Sequence, residues 1–213
     1  MLQLMADSYR SGASASSNSW GPSGFPLGYD SDTRQVDVGV RDTRPNFPGH
    51  QPLTYCLSFM NGNGGTSTQG TPDEAKNVIS IGSTKGQELN GTQILDIDDL
   101  SSNSAHGPCL DGRTIPHLVA PGCYVDSTYP DLGGGEGHAW REVCGTSMAA
   151  PQVSGAIALF IEYWRGLPGY VADPSPAMVK AALMAVAHDL EGNNDADGAA
   201  LGHRPDSKQG WGG

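Results

Sequence analysis

The stretch Gly145-Thr146-Ser147-Met148-Ala149-Ala150-Pro151 decides how this 213-residue sequence is interpreted. It opens the clearest helical pattern of the chain, in which apolar residues recur at helical spacing as far as Trp164 and stop near Gly166. Ser147 therefore stands in the first turn of a helix, where unpaired backbone N–H groups and the helix dipole favour developing negative charge. Small neighbouring side chains leave room for a carbonyl group. A plain capping serine is the alternative, and it would be preferred without the rest of the heptapeptide.

The other patterns predict strands that alternate with helices. Residues 1–12 predict a helix that closes at Gly12, and a second helix is expected to be capped by Asp30 or Asp32. A last helix is predicted from Ser175 to Gly192, with one apolar face. That face consists of Val179, Leu183, Val186 and Leu190. Strands are expected at residues 13–20, 53–59, 78–81 and 118–120, with two more around the turn Gly133-Gly134-Gly135. The sequence therefore predicts an α/β fold with a parallel sheet flanked by helices, in one domain over residues 1–213.

The heptapeptide resembles the nucleophile motif of the subtilase family, the subtilisin-like serine peptidases. Further segments that resemble this family follow in the family's order along essentially the whole chain. They are Ser17–Gly21 (substrate-binding strand), Asn77–Ser83 (strand after the oxyanion loop), Ser104–Pro108, Asp111–Arg113 and Val119–Gly122 (block before the nucleophile), and Gln209–Gly212 (end of the catalytic domain in alkaline-protease-like members). The resemblance implies the C-terminal part of a subtilisin-like catalytic domain, incomplete at its N-terminus.

The resemblance also assigns roles to individual residues. Ser147 would attack a peptide carbonyl, and the side-chain amide of Asn63 would stabilise the oxyanion together with the Ser147 N–H. The remaining assigned residues would bind substrate: Gly62 at the floor of the specificity pocket, and Ser19, Trp20 and Gly21 through their backbone. Two alternatives stay open, a turn asparagine at positive φ for Asn63 and a core aromatic for Trp20. Met60 and Asn61 stand where the family has two small residues, and they are expected to narrow or polarise the pocket.

The Asp and His of a serine-peptidase triad are not found in this sequence. None of the six histidines lies in a Gly-His-Gly-Thr-His context, and His138 is interpreted as a loop residue. In subtilases both motifs precede the region that begins here, and the chain opens with the pattern of a helix interior. We therefore expect an incomplete and inactive endopeptidase, whose partner is the missing N-terminal part of the domain or a pro-segment. The alternatives are a non-catalytic peptide-binding module and a structural α/β domain.

Composition and cysteine usage bear on partners and location. The formal net charge of −11 disfavours nucleic-acid binding, and no stretch has the apolar length of a membrane span. The resemblance to the subtilase family implies a polypeptide substrate and no cofactor for catalysis. The four cysteines contain no CxxC pair, and a hairpin between Cys123 and Cys144 predicts a disulfide, whereas Cys56 is expected to be a buried apolar residue. A secreted or extracellular location is implied by the family resemblance.

One segment near the C-terminus has the spacing of a calcium-binding loop. Asn193, Asp195 and Asp197 stand at alternate positions and Gly198 follows at the sixth, as at the start of such a loop. Arg204 occupies the twelfth position, where an acidic ligand is required. The segment therefore predicts either a structural calcium site or a solvated turn.

Overall fold

The computed structural model describes residues 1–22, 26–86, 88–89, 92–93, 95–129 and 139–213. The predicted turn Gly133-Gly134-Gly135 and His138 lie outside these residues. Four helices and eight strands occur in the described ranges. In chain order they are α1 (Leu2–Arg10), β1 (Ala15–Asn18), α2 (Ser31–Arg41), β2 (Thr54–Ser58), β3 (Ile79–Lys85), β4 (Glu88–Leu89), β5 (Thr92–Gln93), β6 (Leu118–Cys123), β7 (Val125–Tyr129), β8 (Ala139–Val143), α3 (Thr146–Arg165) and α4 (Pro176–Val186).

The main sheet has four parallel strands in the order β1-β2-β3-β6. Its faces differ because side chains alternate along each strand: Tyr55 and Leu57 of β2 pack with residues of α1 and α2, whereas Cys56 packs with α3 and α4. Each layer of helices therefore covers one face, as the predicted α/β architecture requires. The predicted fold class is confirmed. Antiparallel pairs β4-β5 and β7-β8 lie outside this sheet.

Helix α3 packs its buried side chains directly on the parallel strands. The inward residues share one face of the helix and are almost without solvent exposure; they are Ala149, Ala150, Val153, Ile157 and Ile161. The predicted start at Thr146 and stop before Gly166 are confirmed. Among the described residues, no helix is long and apolar enough to cross a membrane.

Two predicted boundaries were wrong. Helix α4 ends at Val186 rather than Gly192, because His188 exchanges both backbone hydrogen bonds with Gly213 (2.6 and 3.0 Å) instead of continuing the helix. As a result Val186 is 81% exposed, whereas Leu190 is buried outside the helix. Strand β6 continues through Pro121 to Cys123. It is the last strand of the sheet among the described residues, so the missing N–H of Pro121 costs no bond to a neighbouring strand.

The predicted disulfide is confirmed: Cys123 and Cys144 are bonded at the base of the β7-β8 pair. Cys56 is buried, as predicted, and its thiol donates to the carbonyl oxygen of Ala150 at 3.3 Å. Burial raises the pKa of the Cys56 thiol to about 11, so this group stays protonated and unreactive near neutral pH.

Candidate active site

The predicted site residues emerge at one edge of the parallel sheet. Because parallel strands point the same way, the segments that follow β1 and β2, residues 19–21 and 60–65, leave the sheet at its carboxyl edge. Helix α3 begins at this edge too, since the Gly145 N–H donates to the carbonyl of Gly122 in β6 at 2.7 Å. In open α/β sheets this edge is where ligands bind.

Ser147 is the second residue of α3 and is half-buried. Pro151 has no N–H group, so the usual helical hydrogen bond to the Ser147 carbonyl is missing. The hydroxyl of Ser19 replaces it, donating to this carbonyl oxygen at 3.2 Å. Within the described ranges, the Ser147 N–H has no hydrogen-bond acceptor. The site therefore offers a hydroxyl and an available N–H donor together, at the positive end of a helix dipole.

Asn61 caps the start of α3, a role that the sequence did not indicate. Gly145 is the N-cap position and has no side chain to accept a hydrogen bond. Instead, Asn61 Oδ1 accepts from the Thr146 N–H at 3.0 Å and from the Thr146 hydroxyl at 3.1 Å. The missing side chain at Gly145 was the only sequence signal that a distant residue had to supply the cap.

Asn63 lies in the same loop as Asn61. The hydrogen bonds from Thr146 to Asn61 place this loop beside the first turn of α3. Its φ angle is 57°, its side chain is exposed, and its N–H donates to the Asn103 carbonyl at 3.3 Å. The positive φ fits the alternative of a turn asparagine, but it leaves the exposed amide available to a ligand. The oxyanion role of Asn63 therefore stays a prediction.

The predicted substrate-binding glycines are closely approached by other residues. A Cβ atom at Gly21 would overlap the Met60 side chain, which is buried, and a Cβ at Gly62 would overlap Thr68. The long side chain of Met60 thus fills the space next to Gly21 and narrows this region. Trp20 is 37% exposed, so it is not a core aromatic, and its Nε1 donates to Asn18 Oδ1 at 3.3 Å.

The calcium-like segment uses its acidic side chains within the protein. Asp195 is buried and accepts from the Lys208 ammonium and from the N–H groups of Asp197 and Ala199, both at 2.9 Å. Burial raises the pKa of Asp195, but the hydrogen bonds from Lys208 and the backbone outweigh it and hold that pKa below its ordinary value. Asn193 donates its side-chain amide to the Leu190 carbonyl. Because Lys208 already neutralises Asp195, calcium would have to displace this ammonium, and the calcium site stays a prediction.

Two buried histidines have partners other than the candidate nucleophile. His106 Nδ1 lies 3.1 Å from the Gly65 carbonyl oxygen. His117 lies between Ser80 (2.8 Å) and Lys180 (2.7 Å), and burial, followed by the charge of Lys180, keeps the pKa of His117 well below its ordinary value. In the part of the chain that the structure describes, no histidine is hydrogen-bonded to Ser147.

Comparison with known proteins identifies relatives that match about half of the chain. The chain is 38% identical over 90 residues to pyrolysin of Pyrococcus furiosus, covering 42% of this chain and 6% of pyrolysin. It is 28% identical over 118 residues to serine protease AprX of Bacillus subtilis, covering 52% of this chain and 26% of AprX. The chain thus spans only a minor part of the length of these relatives.

Solved structures share the fold. Sphericase matches with a TM-score of 0.62 and 22% identity, over 99% of this chain and 59% of its own. The prenylagaramide maturation protease PagA matches with a TM-score of 0.64 and 19% identity, over 99% of this chain and 62% of its own. The model of the subtilase family matches residues 1–212. Because this match covers nearly every residue, the chain belongs to the subtilase family.

Proposed function

We propose that this chain is part of the catalytic domain of a serine endopeptidase. Ser147 Oγ bonds to the peptide carbonyl carbon, the C–N bond breaks and the amine leaves with a proton; water then releases the acyl group from Ser147. The Ser147 N–H and the Asn63 amide hold the oxyanion. The observation that carries the proposal is the Ser147 N–H, which has no acceptor among the described residues, at a helix start next to the Asn61–Asn63 loop. Loss of one oxyanion donor costs about 3–4 kcal/mol of transition-state stabilisation.

A general base must accept the Ser147 proton, and we propose that an Asp–His pair from sequence outside this chain provides it. Two surfaces support this proposal. Strand β1 has a partner on one side only among the described strands, so its other edge is open to a further strand. Helix α3 also exposes large apolar side chains, since Leu159 is 68% and Tyr163 66% exposed. A missing part of the domain would pair with β1 and cover this helix face; without it the chain is expected to be inactive.

The proposed substrate is a polypeptide in extended conformation. The Ser19 hydroxyl is used to hold the Ser147 carbonyl, so recognition at residues 19–21 depends on backbone groups. Backbone pairing is independent of side-chain identity, whereas the space near Gly21 is restricted by Met60. We also propose an extracellular location, because the Cys123–Cys144 disulfide suits an oxidising compartment.

Fluorophosphonate labelling tests the function. The chain is prepared alone and also extended by the sequence that its reading frame encodes upstream of Met1. We expect labelling of the extended protein only, its loss in Ser147→Ala, and its retention in the control Ser154→Ala, a serine of the same helix that bonds to the Ala150 carbonyl. Absence of labelling from the extended protein would refute the peptidase proposal, and peptide binding without labelling would favour a non-catalytic binding module.

A further inference from the structure

Both backbone groups of Gly65, at the end of the loop that carries Asn63, are held by side chains from distant segments. The Gly65 N–H donates to the carboxylate of Asp197, 2.9 Å from Oδ2 and 3.1 Å from Oδ1, across 132 positions of sequence. The Gly65 carbonyl lies 3.1 Å from Nδ1 of His106, which is buried. Asp197 and His106 are themselves 3.4 Å apart. Two side chains thus converge on the backbone of one residue of the loop.

The N–H groups of Asn63, Gly64 and Gly65 anchor the loop, and only that of Gly65 bonds to a side chain among these three. The Asn63 N–H donates to the carbonyl of Asn103 and the Gly64 N–H to that of Ser104, at 3.3 and 2.8 Å. These acceptors are main-chain atoms, which any sequence supplies. The Gly65 acceptor is a side chain, so this third anchor depends on the residue at position 197. The contact is also close, because a Cβ atom at Gly64 would overlap the Asp197 carboxylate.

The segment that presents Asp197 is itself fixed. Buried Asp195 accepts from the N–H groups of Asp197 and Ala199 and from the Lys208 ammonium. The Ala196 N–H donates to Nε2 of His106 at 3.4 Å. Because Nε2 accepts this bond, the imidazole proton is on Nδ1, which donates to the Gly65 carbonyl. One imidazole therefore connects residues 195–197 to the loop.

We propose that residues 195–197, here called the clamp, position the loop that carries Asn63. Asp197 is then a positioning residue for the oxyanion donor, and the spacing that resembles a calcium loop serves this contact instead. Only the catalytic consequence of the clamp rests on the proposed function, since its effect on the loop can be measured in a protein that has no activity. Because oxyanion donors act at hydrogen-bond distance, a small displacement of Asn63 would weaken stabilisation of the transition state more than substrate binding.

Backbone hydrogen exchange, measured by NMR, tests the clamp in this chain. We expect Gly65 to exchange at least about 10-fold faster in Asp197→Ala, an effect equivalent to about 1.4 kcal/mol. Asp197→Asn keeps an acceptor oxygen and should restore most of the protection. Asp126→Ala removes an exposed carboxylate of β7 and serves as the matched control, with no change at Gly65. Unchanged Gly65 exchange in Asp197→Ala, or equal acceleration of core amides in β2, would overturn the proposal.

Kinetics of the extended protein test the consequence for catalysis. We expect kcat to fall about 10-fold in Asp197→Ala with KM within about 2-fold, and Asp197→Asn to recover most of it. If Asp197 had a merely structural role, Asp197→Ala would lower the melting temperature and the amount of active enzyme, and Asp197→Asn would not restore kcat. Faster Gly65 exchange with unchanged kcat in an active enzyme would overturn the positioning role. An extended protein without activity would refute the proposed function, and the exchange result would then decide the clamp alone.

Discussion

Replacing Asn61 by alanine gives a direct test of how α3 is started. The change removes the one side-chain oxygen that accepts from both the N–H and the hydroxyl of Thr146. Thr146 is only 1% exposed, so its N–H and hydroxyl depend on Asn61 for an acceptor. Gly145 has no side chain that could take over the cap. We therefore expect the start of α3, and with it the position of Ser147, to loosen.

The expected loss of stability follows from these two hydrogen bonds. Removal of a helix cap costs about 0.5–2 kcal/mol, typically about 1. The Thr146 hydroxyl left without an acceptor adds about 1 kcal/mol. The free energy of unfolding should therefore fall by about 2 kcal/mol in Asn61→Ala. For a domain of this size that change lowers the melting temperature by about 4–8 °C.

Urea unfolding followed by circular dichroism measures this change, with two informative variants. Asn61→Asp keeps the acceptor and places a negative charge at the helix start, which should stabilise the chain by about 0.3–1 kcal/mol. Asn63→Gly is the matched control in the same loop, because φ 57° at Asn63 suits glycine and its side chain is exposed. Its unfolding free energy should change by less than about 0.5 kcal/mol.

Two results would refute this reasoning. If Asn61→Ala unfolds at the same urea concentration as the unmodified chain, the cap contributes nothing to stability. If Asn63→Gly is the more destabilised variant, the structural role belongs to Asn63 and its exposed amide is not reserved for a ligand.

Two further predictions concern charged groups elsewhere. Burial lowers the pKa of Lys180 to about 8, whereas a lysine in an unfolded chain has a pKa of about 10.4. At a pH between these two pKa values, the unfolded state therefore binds more protons than the folded state. Stability relative to Lys180→Met should therefore rise by about 2 kcal/mol from about pH 7 to about pH 9.5 in urea unfolding, and a flat difference would contradict this sign. For the calcium prediction, we expect calorimetric titration to give no heat, because Lys208 pairs with Asp195; measurable heat would show that calcium displaces the ammonium.

Local patterns in the sequence predicted the elements that depend on near neighbours. The helix from Thr146 and the cap of α2 by Asp30 follow from residue types at short spacing, and both are present. The Cys123–Cys144 disulfide follows from the hairpin expected between the two cysteines, and it is also present. The helix from Ser175 was extended too far because its apolar spacing continues to Leu190. There the backbone bonds to Gly213 decide the boundary, and such a partner is invisible in a local pattern.

Periodicity and the order of motifs along the chain were enough to predict the fold class, the family and the candidate nucleophile. The contacts that hold the candidate site in place could be found only in the three-dimensional structure. Asn61 reaches Thr146 across 85 positions, Asp197 reaches Gly65 across 132, and Ser19 reaches Ser147 across 128. Each contact joins a side chain to atoms that become neighbours only when the parallel strands bring their ends to one edge. For that reason neither spacing nor composition revealed these contacts.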